Sequence, residues 1–500
     1  MELFKKFYAQ EMKKIFLALI IFLGGLLISC ESFLDRYPHS EVAMEEVLQS
    51  EEDFEVALRG VYAGFKSPDY YGRYFTVYPD VMTDEVVAVV GFTNQLGILH
   101  NWAYNALDAD IKAMWRQMYS VIARANTIIN QIDGIDGEEE NLKQIKGEAL
   151  TARALAHFDL VRLFAKSYSS SASADWGIPY MTEFVTSEPN RDNLSIVYSS
   201  IIDDLEEALT LMSVQENDSP YLTPAAAEAL LARIYLYMGE WEQAIIYAEK
   251  VINEGTYGYA LASGDDFANM WINDTGSEII WKVGLTANDA AGKFPGYNYY
   301  NDSQGKPNPD YIPTDNFLAI YDTAKDIRYQ TYFVTEETNN GVDLILCRKY
   351  PTNPDFASIA NANGANMPKV FRLAEQYLIC AEAYAELDFN DEAWSYIQDL
   401  RAQRIEDYDA EADPVPVNLK EEIFNERKRE LAFEGHLWFD YKRKGLGFTR
   451  QGRTGTGNNQ YANSSGELVI SADNYRWLLP VPQDEINANE GIKDQQNPDY

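Results

Sequence analysis

Apolar residues recur at helical spacing over most of this chain. Between positions 53 and 65 they fall at Phe54, Ala57, Leu58, Val61 and Phe65, an i, i+3/i+4 stripe that predicts an amphipathic helix. Residues 111–132 repeat it with Met114, Trp115, Met118, Ile122, Ala125 and Ile129. Two further helices are predicted over 147–164 and 196–212. Thr223-Pro224 supplies a hydroxyl cap followed by proline in the first turn, a helix start. Leu231, Ala232, Tyr235, Gly239, Trp241, Ala244, Ala248 and Val251 then follow at the spacing of a tetratricopeptide helix pair, with Gly239 permitting the turn. A second copy runs through Cys380, Ala381, Tyr384, Asn390, Ala393, Ile397 and Leu400, with its turn at 388–391. The segments 147–164 and 196–212 resemble a third pair, split by an insertion whose serine-rich part spans 167–173. The fold class expected is mostly α: a tetratricopeptide-like scaffold with long irregular loop regions and a few short strands.

The pattern changes between 255 and 368. Asn, Asp, Gly, Pro and Tyr dominate there, with strand-like pieces only at 278–283 and 344–348. Residues 445–467 form another glycine- and asparagine-rich loop. Long irregular segments on a rigid scaffold are where binding residues concentrate.

A different pattern opens the chain. Ile15 to Ile28 is nearly unbroken apolar sequence behind Lys13 and Lys14, and it ends Leu27-Ile28-Ser29-Cys30. That is a secretory signal, too short to span a bilayer as a mature helix, which needs about 20 apolar residues. Cysteine after a leucine-aliphatic-small triplet resembles the bacterial lipobox, so Cys30 is the expected lipidation site and 31–50 an acidic tether. A plain signal peptide with a chance cysteine is the alternative. The organisation expected is a signal over 1–29, a helical part over 30–255 and a C-terminal part over 256–500 whose insertion covers 256–366.

Composition narrows the function. Cleavage before Cys30 removes four basic and two acidic residues and takes the net charge from -37 to -39. Such a charge repels nucleic acids and anionic lipid surfaces. Cys347 and Cys380 form no disulfide framework, and Cys380 in its apolar helical pattern reads as a buried thiol. Four scattered histidines give no HExxH or paired zinc spacing. Gly452-Arg453-Thr454-Gly455-Thr456-Gly457 lacks the ending of a phosphate loop, and Asn273-Asp274-Thr275-Gly276-Ser277-Glu278 lacks EF-hand spacing and reads as a turn. No cofactor is expected beyond an incidental calcium. Neither a nucleophile elbow nor a Cys/His pair appears, and no local signature isolates two of the 78 carboxylates for glycoside cleavage.

Aromatic density in the loops stands out instead. Asn101, Trp102 and Tyr104 lie ahead of the 111–132 helix; Tyr297, Tyr299 and Tyr300 lie in the irregular region with Trp271 upstream. Rings stack on apolar sugar faces while amides and carboxylates bind hydroxyls, although a peptide groove uses the same groups. These seven are the candidate ligand contacts, Trp102 foremost.

Three stretches carry a family resemblance. Arg372-Leu373-Ala374-Glu375-Gln376-Tyr377-Leu378, running on to Ala381-Glu382-Ala383, is similar to one helix motif of the SusD/RagB family of Bacteroidetes outer-membrane lipoproteins. Glu426-Arg427 with Glu430-Leu431 and Glu434-Gly435-His436 resembles a second, and Leu478-Leu479-Pro480-Val481-Pro482 with Gln496-Asn497-Pro498-Asp499-Tyr500 resembles the closing motif. His436 stands where the family usually has arginine and Asp499 where it has glycine. The motif acids Glu426, Glu430 and Glu434 suit ion pairs that lock helices, not catalysis. The resemblance implies a non-catalytic lipoprotein, exposed at the outer membrane, that captures an oligosaccharide for a SusC-type TonB-dependent barrel transporter. A peptide-capturing RagB-like lid, a tetratricopeptide protein-binding scaffold and a surface glycosidase are the competing readings.

Overall fold

The structure is a computed structural model that describes residues 48–500 apart from 169–174, 186, 215, 290–293, 304 and 360–363. The signal run, Cys30 and most of the serine-rich insertion lie outside the described residues.

Helices form where the apolar stripes predict them. Glu51–Phe65 starts at a reciprocal capping box, Ser50 with Asp53, and buries Phe54, Leu58, Val61 and Phe65. Ala109–Gln131, Glu139–Phe164 and Leu194–Leu211 follow, each longer than or equal in register to its predicted stripe. Thr223 caps Pro224–Met238 through the Ala226 N–H, and Gly239 ends it at φ 77° before Trp241–Ile252 begins. That turn needs a residue free to adopt left-handed backbone, which glycine does without strain. The second tetratricopeptide pair is Leu373–Glu386 with Asn390–Ala402, turned at Asp388 with φ 63°. The two pairs share a core: Ala232, Leu236, Ala244 and Ala248 pack against Ile379, Cys380 and Ala383. Small residues let these helices approach closely. Leu378, Ala381, Ile397 and Leu400 continue the core into Leu419–Glu430 through Ile423.

Between 255 and 368 the backbone pairs into short ribbons. Ile279–Lys282 lies antiparallel to Lys369–Arg372, and Phe333–Glu337 to Asp343–Cys347, so both predicted strand pieces are strands. Val86–Ala88 finds its partner in Tyr311–Pro313, far along the chain. Ser50–Tyr500 is one compact unit, so position 255 marks a change of texture within it.

The second motif is not one continuous helix. Leu419–Glu430 stops at Glu430, Phe433 (φ 59°) and Gly435 (φ 78°) turn the chain, and Leu437–Arg443 begins a new helix. Two carboxylates from the N-terminal part hold that turn by its backbone: Glu85 accepts the Phe433 N–H at 2.8 Å and Asp80 accepts the Gly435 N–H at 3.1 Å. A Cβ on Gly435 would sit 2.9 Å from the carbonyl oxygens of Phe75 and Thr76. Tertiary contact, not helix propensity, therefore sets the break.

The motif acids are locked as expected. Glu430 meets Arg372 at 2.9 Å, Arg404 at 3.0 Å and Arg328 at 3.2 Å. Glu426 meets Arg328 at 2.6 Å and Arg401 at 2.7 Å, and Glu434 meets Arg372 at 2.6 Å and Lys349 at 2.8 Å. These arginines hold Glu426 and Glu430 well below the usual carboxylate range despite burial. His436 lies in the same core, and burial beside Arg233 and Arg427 keeps its imidazole neutral. Cys347 and Cys380 are free buried thiols.

The closing motif works as a clasp. Val481 N–H donates to Gln496 Oε1 at 2.8 Å while Gln496 Nε2 donates back to Val481 O at 2.8 Å. Asn497 Nδ2 donates to Phe164 O at 2.7 Å and Leu479 O at 2.6 Å, and its Oδ1 accepts from Arg191 at 2.9 Å. Asn497→Ala is expected to lower stability by about 2 kcal/mol, because the buried Leu479 carbonyl loses its donor and Arg191 loses an acceptor, while Phe164 O keeps the Arg191 guanidinium at 2.9 Å. Urea midpoints with an unchanged m-value check this; a shift within error would mean that water replaces the amide.

Candidate functional site

The structure divides the seven predicted contacts. Trp102 is 3% exposed, and its indole N–H donates to Met82 O at 2.7 Å while Trp477 packs edge-on at 4.7 Å. Tyr104 and Tyr299 are fully buried, donating to Arg476 O and Asp80 respectively. Trp271 sits in the helix Gly264–Asn273, not in a loop, with the Lys349 ammonium 4.1 Å from its ring centroid. These four are core residues, a correction to the sequence reading. A large ring buries about 150–250 Å², at roughly 25 cal/mol per Å², so a ring that reaches the core stays there. Asn101 is exposed, and Tyr297 and Tyr300 are half-buried. Tyr300 belongs to a ribbon network, with Arg348 4.3 Å from its centroid and Glu336 accepting its hydroxyl.

Tyr297 leads to a site that the sequence reading missed. Tyr70 and Tyr71 each donate a hydroxyl to Asp159, at 2.6 and 2.7 Å, which fixes the turn that opens the helix Tyr74–Val81. Arg73 stands at that helix start. Its guanidinium carbon lies 5.2 Å from the Tyr74 ring centroid and 5.5 Å from the Tyr297 centroid, between two aromatic faces. Nε donates to Asn298 Oδ1 at 2.9 Å and Nη2 to Gln95 Oε1 at 2.5 Å. Gln95 is held in turn by the Tyr311 hydroxyl, 2.6 Å from its carbonyl. Asp310 fixes the neighbouring Thr93 through its N–H at 2.7 Å and its hydroxyl at 3.0 Å. Phe92 is half-buried alongside, its ring 6.0 Å from Tyr311.

The loop that carries Phe92 and Gln95 is strained. Asn94 (φ 63°), Leu96 (φ 58°) and Trp102 (φ 52°) all adopt left-handed backbone, as does Asn301 (φ 43°) after the Tyr297 turn. For a bulky residue such as Leu96 this costs about 1–2 kcal/mol, and strain of this kind concentrates where a loop is held for a purpose. Behind the loop, Arg450 donates to His100 O at 2.7 Å, Val81 O at 2.9 Å and Thr83 O at 2.6 Å. It thereby ties the loop to the end of the Tyr74–Val81 helix.

The arrangement offers half-exposed ring faces at Tyr74 and Tyr297, with buried Arg73 fixing them and the half-buried Gln95 in place. His100 behind it is committed: it faces Val81 O through Nδ1 at 2.7 Å and Arg450 through Nε2 at 3.1 Å, and burial keeps it neutral. Burial and the neighbouring Asp110 push the Tyr74 phenol up to about 12. Among the described residues no group of three or more His, Cys, Asp or Glu is placed to hold a metal ion. The glycine-rich loop is no phosphate cradle either: the N–H groups of Asn458 and Asn459 already bind the Asp315 carboxylate, at 2.7 and 3.2 Å.

Comparison with known proteins fits this architecture. Residues 288–500 match the model of the SusD family, and residues 32–236 match a model described as starch-binding associating with outer membrane. A SusD-like protein P2 of Formosa agariphila is 26% identical over 98% of this chain and 100% of its own. Among solved structures, a SusD superfamily protein of Bacteroides thetaiotaomicron is 28% identical with a TM-score of 0.78, over 90% of this chain and 100% of that one. A putative sugar binding protein of Bacteroides vulgatus gives 28% identity and a TM-score of 0.78 over 91% and 99%. With its motifs, its tetratricopeptide-like scaffold and its full-length relatives in agreement, the chain belongs to the SusD/RagB family.

Proposed function

We propose that this protein captures an oligosaccharide at the Arg73–Tyr74–Tyr297 site and passes it, uncleaved, to a SusC-type TonB-dependent transporter in the outer membrane. Lipid on Cys30 tethers it there, facing the exterior. The observation that carries the reading is the guanidinium held between two half-exposed tyrosines beside Gln95, on a strained and braced loop. Tyrosine faces stack on the apolar face of a sugar ring, and the half-buried Gln95 amide beside them binds its hydroxyls, while buried Arg73 holds the rings and Gln95 in place. Family membership and the Bacteroides vulgatus sugar-binding neighbour support a saccharide. The described residues contain no helix long and apolar enough to cross a membrane. Binding needs no cofactor.

The test is calorimetry on the detergent-solubilised full chain with panels of oligosaccharides and peptides. A saccharide is expected to bind and to be recovered intact, and Tyr297→Ala is expected to weaken it at least about ten-fold, or 1.4 kcal/mol. Binding of peptides alone would move the protein to the peptide-capturing side of the family. Cleavage of a bound glycan would end the non-catalytic reading.

A further inference from the structure

A second feature lies on other elements. A cleft of about 820 Å³ opens where the turn of the first tetratricopeptide pair meets Leu373–Glu386, Leu419–Glu430 and the end of Leu437–Arg443. Its apolar walls are Leu236, Tyr237, Trp241, Phe424 and Leu446. Its charges are Glu240, Glu382, Glu386 and Glu421 against Lys420, Arg443 and Lys444.

The cations are already committed. Arg443 grips Glu382 through two nitrogens at 2.5 and 2.7 Å and also meets Asp440 at 2.8 Å; Lys444 reaches Glu382 at 2.7 Å. Lys420 pairs with Glu386 at 2.7 Å. Glu240 and Glu421 are exposed and form no ion pair among the described residues. The uncommitted field of the cleft is therefore negative.

The walls argue against a sugar here. Tyr237 and Phe424 are buried, at 8% and 9% exposure, and their rings are approached by Arg443 at 5.5 Å and Lys444 at 5.8 Å. Rings this deeply buried offer a sugar no open face, unlike the half-exposed Tyr74 and Tyr297. What remains is an apolar trough ending in carboxylates, which suits a long side chain with an aliphatic stem and a cationic head.

We infer that this cleft docks a partner polypeptide by an arginine or lysine presented between aliphatic residues. The stem lies against Trp241 and Leu446, and the head reaches Glu240 and Glu421. The site is separate from the Arg73 site and stands whether or not that site takes a saccharide.

The test uses short capped peptides carrying one arginine between leucines, with the citrulline analogue, which keeps the shape and loses the charge. Titrated into the detergent-solubilised full chain at physiological salt, the arginine peptide is expected to bind at least about ten-fold more tightly than the citrulline one. Glu240→Gln/Glu421→Gln should bring the ratio close to one, and Trp241→Ala should weaken the arginine peptide. Glu411→Gln/Glu467→Gln removes the same charge from exposed positions outside the cleft and should leave the ratio unchanged. Three results would overturn the inference: equal binding of the two peptides, no binding up to millimolar concentration, or equal sensitivity to both double substitutions. A saccharide that competes for Trp241 would overturn it as well.

Discussion

Glu430→Gln is expected to lower stability by about 4 kcal/mol, because an uncharged amide then faces buried arginines. Glutamine keeps the volume, so no cavity contributes. The wild-type carboxylate is shared by Arg328, Arg372 and Arg404, all within 3.2 Å and all fully buried. Each arginine retains another acid: Asp326 and Glu426 for Arg328, Glu278 and Glu434 for Arg372, and Glu278 for Arg404. These remaining pairs keep the loss finite, but they cannot restore the balance of a site closed to water. Nor can the amide replace every contact, since its Nε2 carries hydrogens that point at guanidinium donors. Urea unfolding at neutral pH measures the effect. A loss under about 1 kcal/mol would mean that water or an anion enters the cluster, and the motif would then act through geometry more than charge.

What the sequence showed and what it hid divide along physical lines. Thr223-Pro224 and Gly239 announce a helix start and a turn through neighbours one to three residues away, and the helix begins and ends there. The apolar stripes likewise depend on one helix face alone. Val86–Ala88 was invisible, because three residues carry no period and their partner strand lies past position 310. The break after Glu430 was invisible for the same reason: it is imposed by Asp80 and Glu85, and helical spacing around Phe433 gives no hint of it. The candidate site failed most instructively. Aromatic density alone does not tell a ring that packs inward, such as Trp102, from one that stays at the surface, such as Tyr297. Tyr70-Tyr71-Gly72-Arg73-Tyr74-Phe75 is as aromatic as the stretches chosen. What sets Arg73 apart is its closeness to Gln95 and Asn298, which only the fold supplies.

The acids that hold the turn after Glu430 make a second large effect, visible in pH dependence. Glu85 is fully buried and its carboxyl is pushed up to about 8, mainly by burial and only partly offset by the Phe433 N–H and Lys349. Asp80, beside it, is raised in the same direction by burial and by Glu85. A raised carboxyl keeps its proton in the fold while the unfolded chain gives it up near the ordinary value of 4.5. The contribution is thus fully present below about pH 4.5 and is lost as pH rises toward 8, at up to about 1.4 kcal/mol per unit. Other groups act in other windows. Glu426 and Glu430, held low, lose their contribution as pH falls below the carboxylate range, and the neutral buried His100, His157 and His436 oppose folding below about 6.5. Lys349, lowered to about 8, gains its contribution only above that value. Comparing Glu85→Gln with wild type cancels what the two share. Glutamine offers the same oxygen to the Phe433 N–H and does not ionise, so the variant should gain on wild type steadily from pH 5 to pH 8. The total gain is expected to be about 3 kcal/mol. Urea midpoints at four pH values across that window are enough to see it. A flat difference would mean that Glu85 ionises normally in the fold, with Lys349 or an entering water carrying its charge. The helix that begins at Arg73 would then be anchored by an ion pair instead of a protonated acid.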